Sequence, residues 1–189
     1  CRRIYVWFIH YQITPEIEEA IIVPLAQVFR QNNYEIKPVL RLLLGSQHFF
    51  DVMNRGCQIK SPVDMLIGML REMEVKFPAD TQYTNQYGLW NQLVNYLTNM
   101  QQNIGDPPDV SGWKAYYQEP SFYRIWINAT TLNARMNYTN SLAGSGLTYN
   151  TIKYQIDVLA LIGSMKKVKD PNLLIKELGE FLFPFGLTQ

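Results

Sequence analysis

The chain has 189 residues, enough for one sizeable domain with a real core. Hydrophobic residues make up 47% of it and charged residues 17%, which excludes a disordered polypeptide. A formal net charge of +1 supplies no basic field, so a nucleic-acid partner is not expected.

The opening, Arg2-Arg3-Ile4-Tyr5-Val6-Trp7-Phe8, reads as an amphipathic or buried element already under way. No cap, methionine or charged leader precedes it, and Phe183-Pro184-Phe185-Gly186 stops in mid-phrase, so both ends read as cuts in a longer protein. Thr14-Pro15 is an N-cap with proline at the first helical position, followed by a stripe of Ile17, Ile21, Leu25, Val28 and Phe29. Pro24 lies inside that run and predicts a kink or two abutting helices. Ile36, Val39, Leu40 and Leu43 form a short helix ending at Gly45, and Ser46 caps a turn holding His48, Phe49 and Phe50.

Ser61-Pro62-Val63-Asp64 is close to a capping box, and the helix behind it, Val63 to Met73, is apolar on nearly all sides. It should be central, and Gly68 within it predicts close approach by a neighbouring backbone. Tyr87, Trp90, Val94, Leu97 and Gln101 share one apolar face, with Leu93 and Met100 beside it and Asn91, Gln92, Asn95 and Asn99 opposite. A further stripe runs Phe122, Ile125, Trp126, Ala129, Leu132 and Met136, with a helix restart at Asn128 or Thr130. Ser141 to Gly146 reads as a small-residue loop, and Thr148 to Tyr154 as a short extended piece. Asp170-Pro171 caps the last helix, with Leu174, Leu178, Phe181 and Leu182 inward and Pro184 ending it. The fold class is all-α: an irregular multi-helix bundle with at most one short β-hairpin or extended piece. Residues 1–189 form a single helical domain, or a fragment of a larger domain truncated at both ends.

The longest apolar run, Val158 to Ile162, is far below the roughly twenty residues of a transmembrane helix, so no transmembrane segment is expected. Cys1 and Cys57 can pair or stay free, but two cysteines make no disulfide framework. With His10 and His48 as the histidines, the inventory for a metal site is poor, and neither metal nor cofactor is expected. The most distinctive segment runs from Asn103 to Tyr117. Gly105 stops a helix, Pro107-Pro108 stiffens the exit, and Trp113, Tyr116 and Tyr117 place three rings within five positions. These rings suit a platform for a sugar, a peptide or another domain, or else a loop whose Trp plugs the core. Arg55 and Lys60 precede the Ser61 cap, where cations oppose the helix dipole unless a bound anion or a salt bridge such as one to Asp51 offsets them. His48, Asp51 and Cys57 put an imidazole, a carboxylate and a thiol within ten positions; a catalytic pair there would need hydrogen-bond geometry that spacing does not supply.

Arg55 through Lys60-Ser61-Pro62, Gly105-Asp106-Pro107-Pro108 with Val110-Ser111-Gly112-Trp113, and Trp126 with Leu132 and Arg135 together resemble the C-terminal part of the bacterial family called domain of unknown function 1800. The resemblance covers Cys1 to about Arg135, with a weaker echo in Pro171 to Pro184. It implies a longer, mostly helical, exported parent protein and an extracytoplasmic site. It implies no activity and carries over no catalytic residues. Two readings follow. One is a non-catalytic interaction or scaffold segment that contacts the rest of the parent chain, another protein or a carbohydrate. Its candidate surface is Trp113, Tyr116, Tyr117, Arg55, Lys60 and Arg135. The alternative is part of a hydrolase-like enzyme whose other catalytic residues lie upstream.

Overall fold

The computed structural model describes residues 1–107, 110, 122–165 and 169–185. The protein is mainly α-helical, with one two-stranded hairpin among the described residues. It divides into two compact units, Cys1–Gln58 with the segment from Phe183 onward, and Ile59–Leu182. No helix of the described residues is long and apolar enough to cross a membrane.

The first unit opens with α1 (Arg2–Phe8), which buries Tyr5 and leaves Trp7 and Phe8 exposed. A continuous helical run follows as α2 (Pro15–Ile17), a π-helical turn (Glu18–Ile22) and α3 (Val23–Gln31). Thr14 caps it, its hydroxyl accepting from the Ile17 amide at 3.3 Å. Pro24 has no N–H to donate, and its ring would strike a carbonyl one turn back in a regular α-helix. The wider π turn immediately before it relieves that crowding, so the predicted kink takes the form of a local change of helix type. After α4 (Ile36–Leu44), Ser46 caps the next turn, as its hydroxyl accepts from the Phe49 amide at 3.2 Å. Tyr5, Ile9, Ile22, Leu25, Val39 and Leu43 form this unit's core.

The second unit contains α5 (Pro62–Glu72), α6 (Tyr83–Asn99), a 3-10 turn (Phe122–Trp126), α7 (Ala129–Ala143), β1 (Leu147–Tyr149), β2 (Ile152–Tyr154), α8 (Val158–Gly163) and α9 (Pro171–Leu182). The antiparallel strands pair Leu147 with Tyr154 and Tyr149 with Ile152, leaving Asn150 and Thr151 as a two-residue turn. Asn150 takes the left-handed conformation there, with φ 53°. The core joins Leu66 and Leu70 of α5, Leu89, Leu93 and Leu97 of α6, Tyr138 and Leu142 of α7, and Leu147 and Tyr154 of the hairpin.

Several expected faces are rotated. On α6 the buried residues are Gln86, Leu89, Leu93 and Leu97, while Tyr87, Trp90 and Val94 are exposed. Leucines recurring every four residues supply a fully apolar ridge, whereas Tyr and Trp carry polar edges that tolerate water. On α7 the inward residues are Thr131, Arg135, Tyr138 and Leu142, and Leu132 and Met136 are about half exposed. On α9 Leu174 and Leu178 are half-buried and Gly179 is buried, but Phe181 and Leu182 are exposed. Helix α7 continues through Ser141 to Ala143, into the stretch expected as loop. Helix α6 ends before Gly105: Gln101 adopts φ 66°, and the Gln102 amide reaches back to the Leu97 carbonyl at 2.9 Å.

The glycines also trade roles. Only the flexible Lys60 ammonium comes near a Cβ placed on Gly68, at 3.9 Å, so no backbone crowds that position. Helix α5 is also less central than its composition suggests, because Ile67 is exposed. At Gly88 of α6, by contrast, an added Cβ would fall inside the Tyr149 ring. That ring rests directly on the α6 backbone, which bare glycine permits. Gly88→Ala is therefore expected to cost about 1–3 kcal/mol through overpacking, despite the better helix propensity of alanine. In a double-mutant cycle by urea unfolding, Tyr149→Ala should remove most of that penalty; additive losses would show that the two positions do not meet.

Candidate functional site

In the first unit, the groups that could form a nucleophilic site each have another partner. His48 Nε2 lies 2.9 Å from the Tyr5 hydroxyl, and the two rings stack with centroids 5.8 Å apart. The Cys57 thiol donates to the Ile9 carbonyl at 3.0 Å and to the Asn54 carbonyl at 3.2 Å. Burial pushes this thiol above its ordinary pKa, so it is a neutral donor near pH 7 and not a thiolate. Asp51 caps the turn Val52–Asn54, its carboxylate accepting from the Met53 amide at 2.9 Å. No hydrogen bond joins Cys57 to His48, so nucleophile and base are not paired. Arg55 is exposed and makes no ion pair among the described residues.

In the second unit, Lys60 and Arg135 are brought together, although 75 positions separate them. Arg135 is 7% exposed on the inner face of α7. Its Nη2 donates to the Lys60 carbonyl at 2.9 Å, and its Nη1 lies 3.2 Å from the Met65 sulfur. Its Nε is buried without a partner, and burial lowers the pKa of the guanidinium. Arg135 thus ties α7 to the start of α5 from inside the unit. The Lys60 ammonium turns outward, 3.7 Å from Glu72, in an exposed pair that contributes little to stability.

The amides of Val63, Asp64 and Met65 at the start of α5 are already engaged. Pro62 has no N–H, and the Val63 amide donates to the Gln102 side chain at 2.9 Å. The Asp64 amide donates to the Ser61 hydroxyl at 3.1 Å, and the Met65 amide to the Ser61 carbonyl at 2.9 Å. The three rings of the aromatic loop, Trp113, Tyr116 and Tyr117, lie outside the described residues.

A different aromatic surface stands open on α6. Tyr83, Tyr87, Trp90 and Val94 follow one another at helical spacing within a strip about 60° wide. They are 66%, 65%, 46% and 39% exposed, in that order. The Tyr87 and Trp90 rings meet edge to face, with centroids 5.2 Å apart. The hairpin occupies another side of the helix. Asn150 donates to the Asn85 side chain at 3.2 Å, and Gln92 donates to the Thr148 carbonyl at 3.3 Å. The leucine ridge occupies a third side. Thr84, Asn91, Asn95 and Thr98 border the open strip and are exposed as well. From Thr81 to Gly105 no residue carries a charge. Periodicity alone did not separate this face from the leucine ridge, and the absence of charge is common to both.

The chain belongs to the family described as Protein of unknown function (DUF1800), whose model matches residues 1–189. No curated protein and no solved structure matches it. The family description assigns no activity, so a functional reading has to come from the geometry.

Proposed function

We propose that this chain is a non-catalytic interaction segment of a larger, exported bacterial protein, of which it forms the C-terminal part. The observation that carries this reading is the open aromatic strip Tyr83, Tyr87, Trp90 and Val94, set in a stretch without charge. Isolated surface hydrophobics need no explanation, but a continuous strip of rings on one helix face is typical of a contact surface. The sequence segment with Trp113, Tyr116 and Tyr117 is a second candidate contact surface in this reading. Arg55 offers an exposed cation on the first unit and Lys60 one on the second, where Arg135 acts from within by holding the Lys60 backbone. The resemblance of the Lys60-Ser61-Pro62 and Gly105 to Trp113 stretches supports the bacterial and exported parent.

The rival reading, part of a hydrolase, rests on the sequence cluster His48, Asp51, Arg55, Cys57 and Lys60. Against it stand the carbonyl-bound, protonated thiol and the engagement of His48 with Tyr5. A panel of fluorogenic ester, peptide and glycoside substrates, assayed on the whole parent protein, separates the two. Any turnover is expected to be unchanged by Cys57→Ser and by His48→Gln. Turnover that either variant abolishes would overturn the non-catalytic reading.

A further inference from the structure

We infer that the open face of α6 binds a neutral carbohydrate chain. The inference rests on the interaction reading and adds the chemical class of the partner. The first ground is electrostatic. The nearest charges in sequence, Asp80 and Asp106, stand on either side of the charge-free stretch, and both are acids. Each is already held, Asp80 by the Gln86 amide at 3.1 Å and Asp106 by the Asn103 amide at 3.3 Å. Within α6 itself a polyanion would find no cation and a basic peptide no acid. The ligand that loses nothing by this arrangement is uncharged.

The second ground is the kind of group displayed. Tyr83, Tyr87 and Trp90 offer apolar ring faces on which the C–H face of a pyranose can rest, and the phenol and indole edges add polar handles. Beside them stand the amides of Asn91 and Asn95 and the hydroxyl of Thr84. Amides and hydroxyls both donate and accept, as sugar hydroxyls do. The third ground is shape. Tyr83 to Val94 spans eleven steps of about 1.5 Å, roughly 16 Å along one helix, which matches a short stretch of a linear oligosaccharide. A stable protein interface needs about 800 Å² on each partner. Four partly exposed side chains on a single helix fall short of that.

Affinity electrophoresis of the whole chain tests this, in gels containing hydroxyethylcellulose, xylan, mannan, dextran or starch, with anionic alginate for contrast. At least one neutral polymer should retard the chain and alginate should not. Tyr87→Ala and Trp90→Ala, both at exposed positions, should each weaken that retardation at least tenfold while keeping the far-ultraviolet dichroism of the parent. No retardation by any neutral polymer would overturn the inference, as would equal retardation of the variants or stronger retardation by alginate. Light scattering that showed a dimer lost in Trp90→Ala would assign the face to a second copy and overturn it too. Each of these failures leaves the non-catalytic reading in place, because that reading falls only to turnover.

Discussion

Tyr138→Ala is expected to lower the unfolding free energy by about 3–5 kcal/mol, while Tyr138→Phe keeps it or raises it by about 1 kcal/mol. Tyr138 is fully buried on the inner face of α7, its ring edge-on to Tyr96 with centroids 5.1 Å apart. Truncation to alanine would remove the ring from the middle of the second unit's core and leave a cavity. The hydroxyl is a separate matter. It is buried without a partner, and burial, with a smaller contribution from Tyr96, drives its pKa far above that of a free phenol. An unsatisfied buried hydroxyl costs stability, so its deletion recovers part of that cost while the ring contacts persist. Urea unfolding of the two variants reads both effects. A loss above about 1 kcal/mol for Tyr138→Phe would mean that the hydroxyl has a partner, such as a buried water.

The helix starts were legible because their chemistry is local. Thr14, Ser61, Asn128 and Asp170 each cap a helix with a side chain that reaches two or three residues ahead, and nothing distant has to be known. Pro24 was legible as a break for the same reason, although the π turn that accommodates it was not. What failed depended on long-range packing. Helix α6 carries two apolar strips on adjoining faces, and helical spacing fits both. The packing of Leu66, Tyr138 and Leu142 against the leucines decides between them. Likewise Gly88, and not Gly68, is the crowded glycine, because Tyr149 arrives from a hairpin about sixty positions away. Helix ends were misjudged where non-glycine residues such as Gln101 accept the left-handed conformation. At the candidate site, the link between Lys60 and Arg135 runs through a backbone carbonyl and a buried guanidinium, which residue types do not reveal. Helical spacing grouped Tyr87, Trp90 and Val94 of the α6 strip, but nothing local distinguishes an apolar face that stands open from one that packs.

Leu89→Ala is expected to cost about 2–5 kcal/mol, because Leu89 is 1% exposed and packs at the centre of the second unit. Two positions away on the same helix, Tyr87 is 65% exposed, and its main ring contact is Trp90, itself on the open strip. Its truncation should fall within about 1 kcal/mol of the parent, as surface substitutions do. The contrast bears directly on the central claim that the Tyr87 face of α6 is free for a partner while the Leu89 face builds the core. Thermal unfolding of Leu89→Ala and Tyr87→Ala side by side measures it. The midpoint should fall by many degrees in Leu89→Ala and by no more than about 4 °C in Tyr87→Ala. Equal losses in the two variants, or a larger loss for Tyr87→Ala, would contradict it.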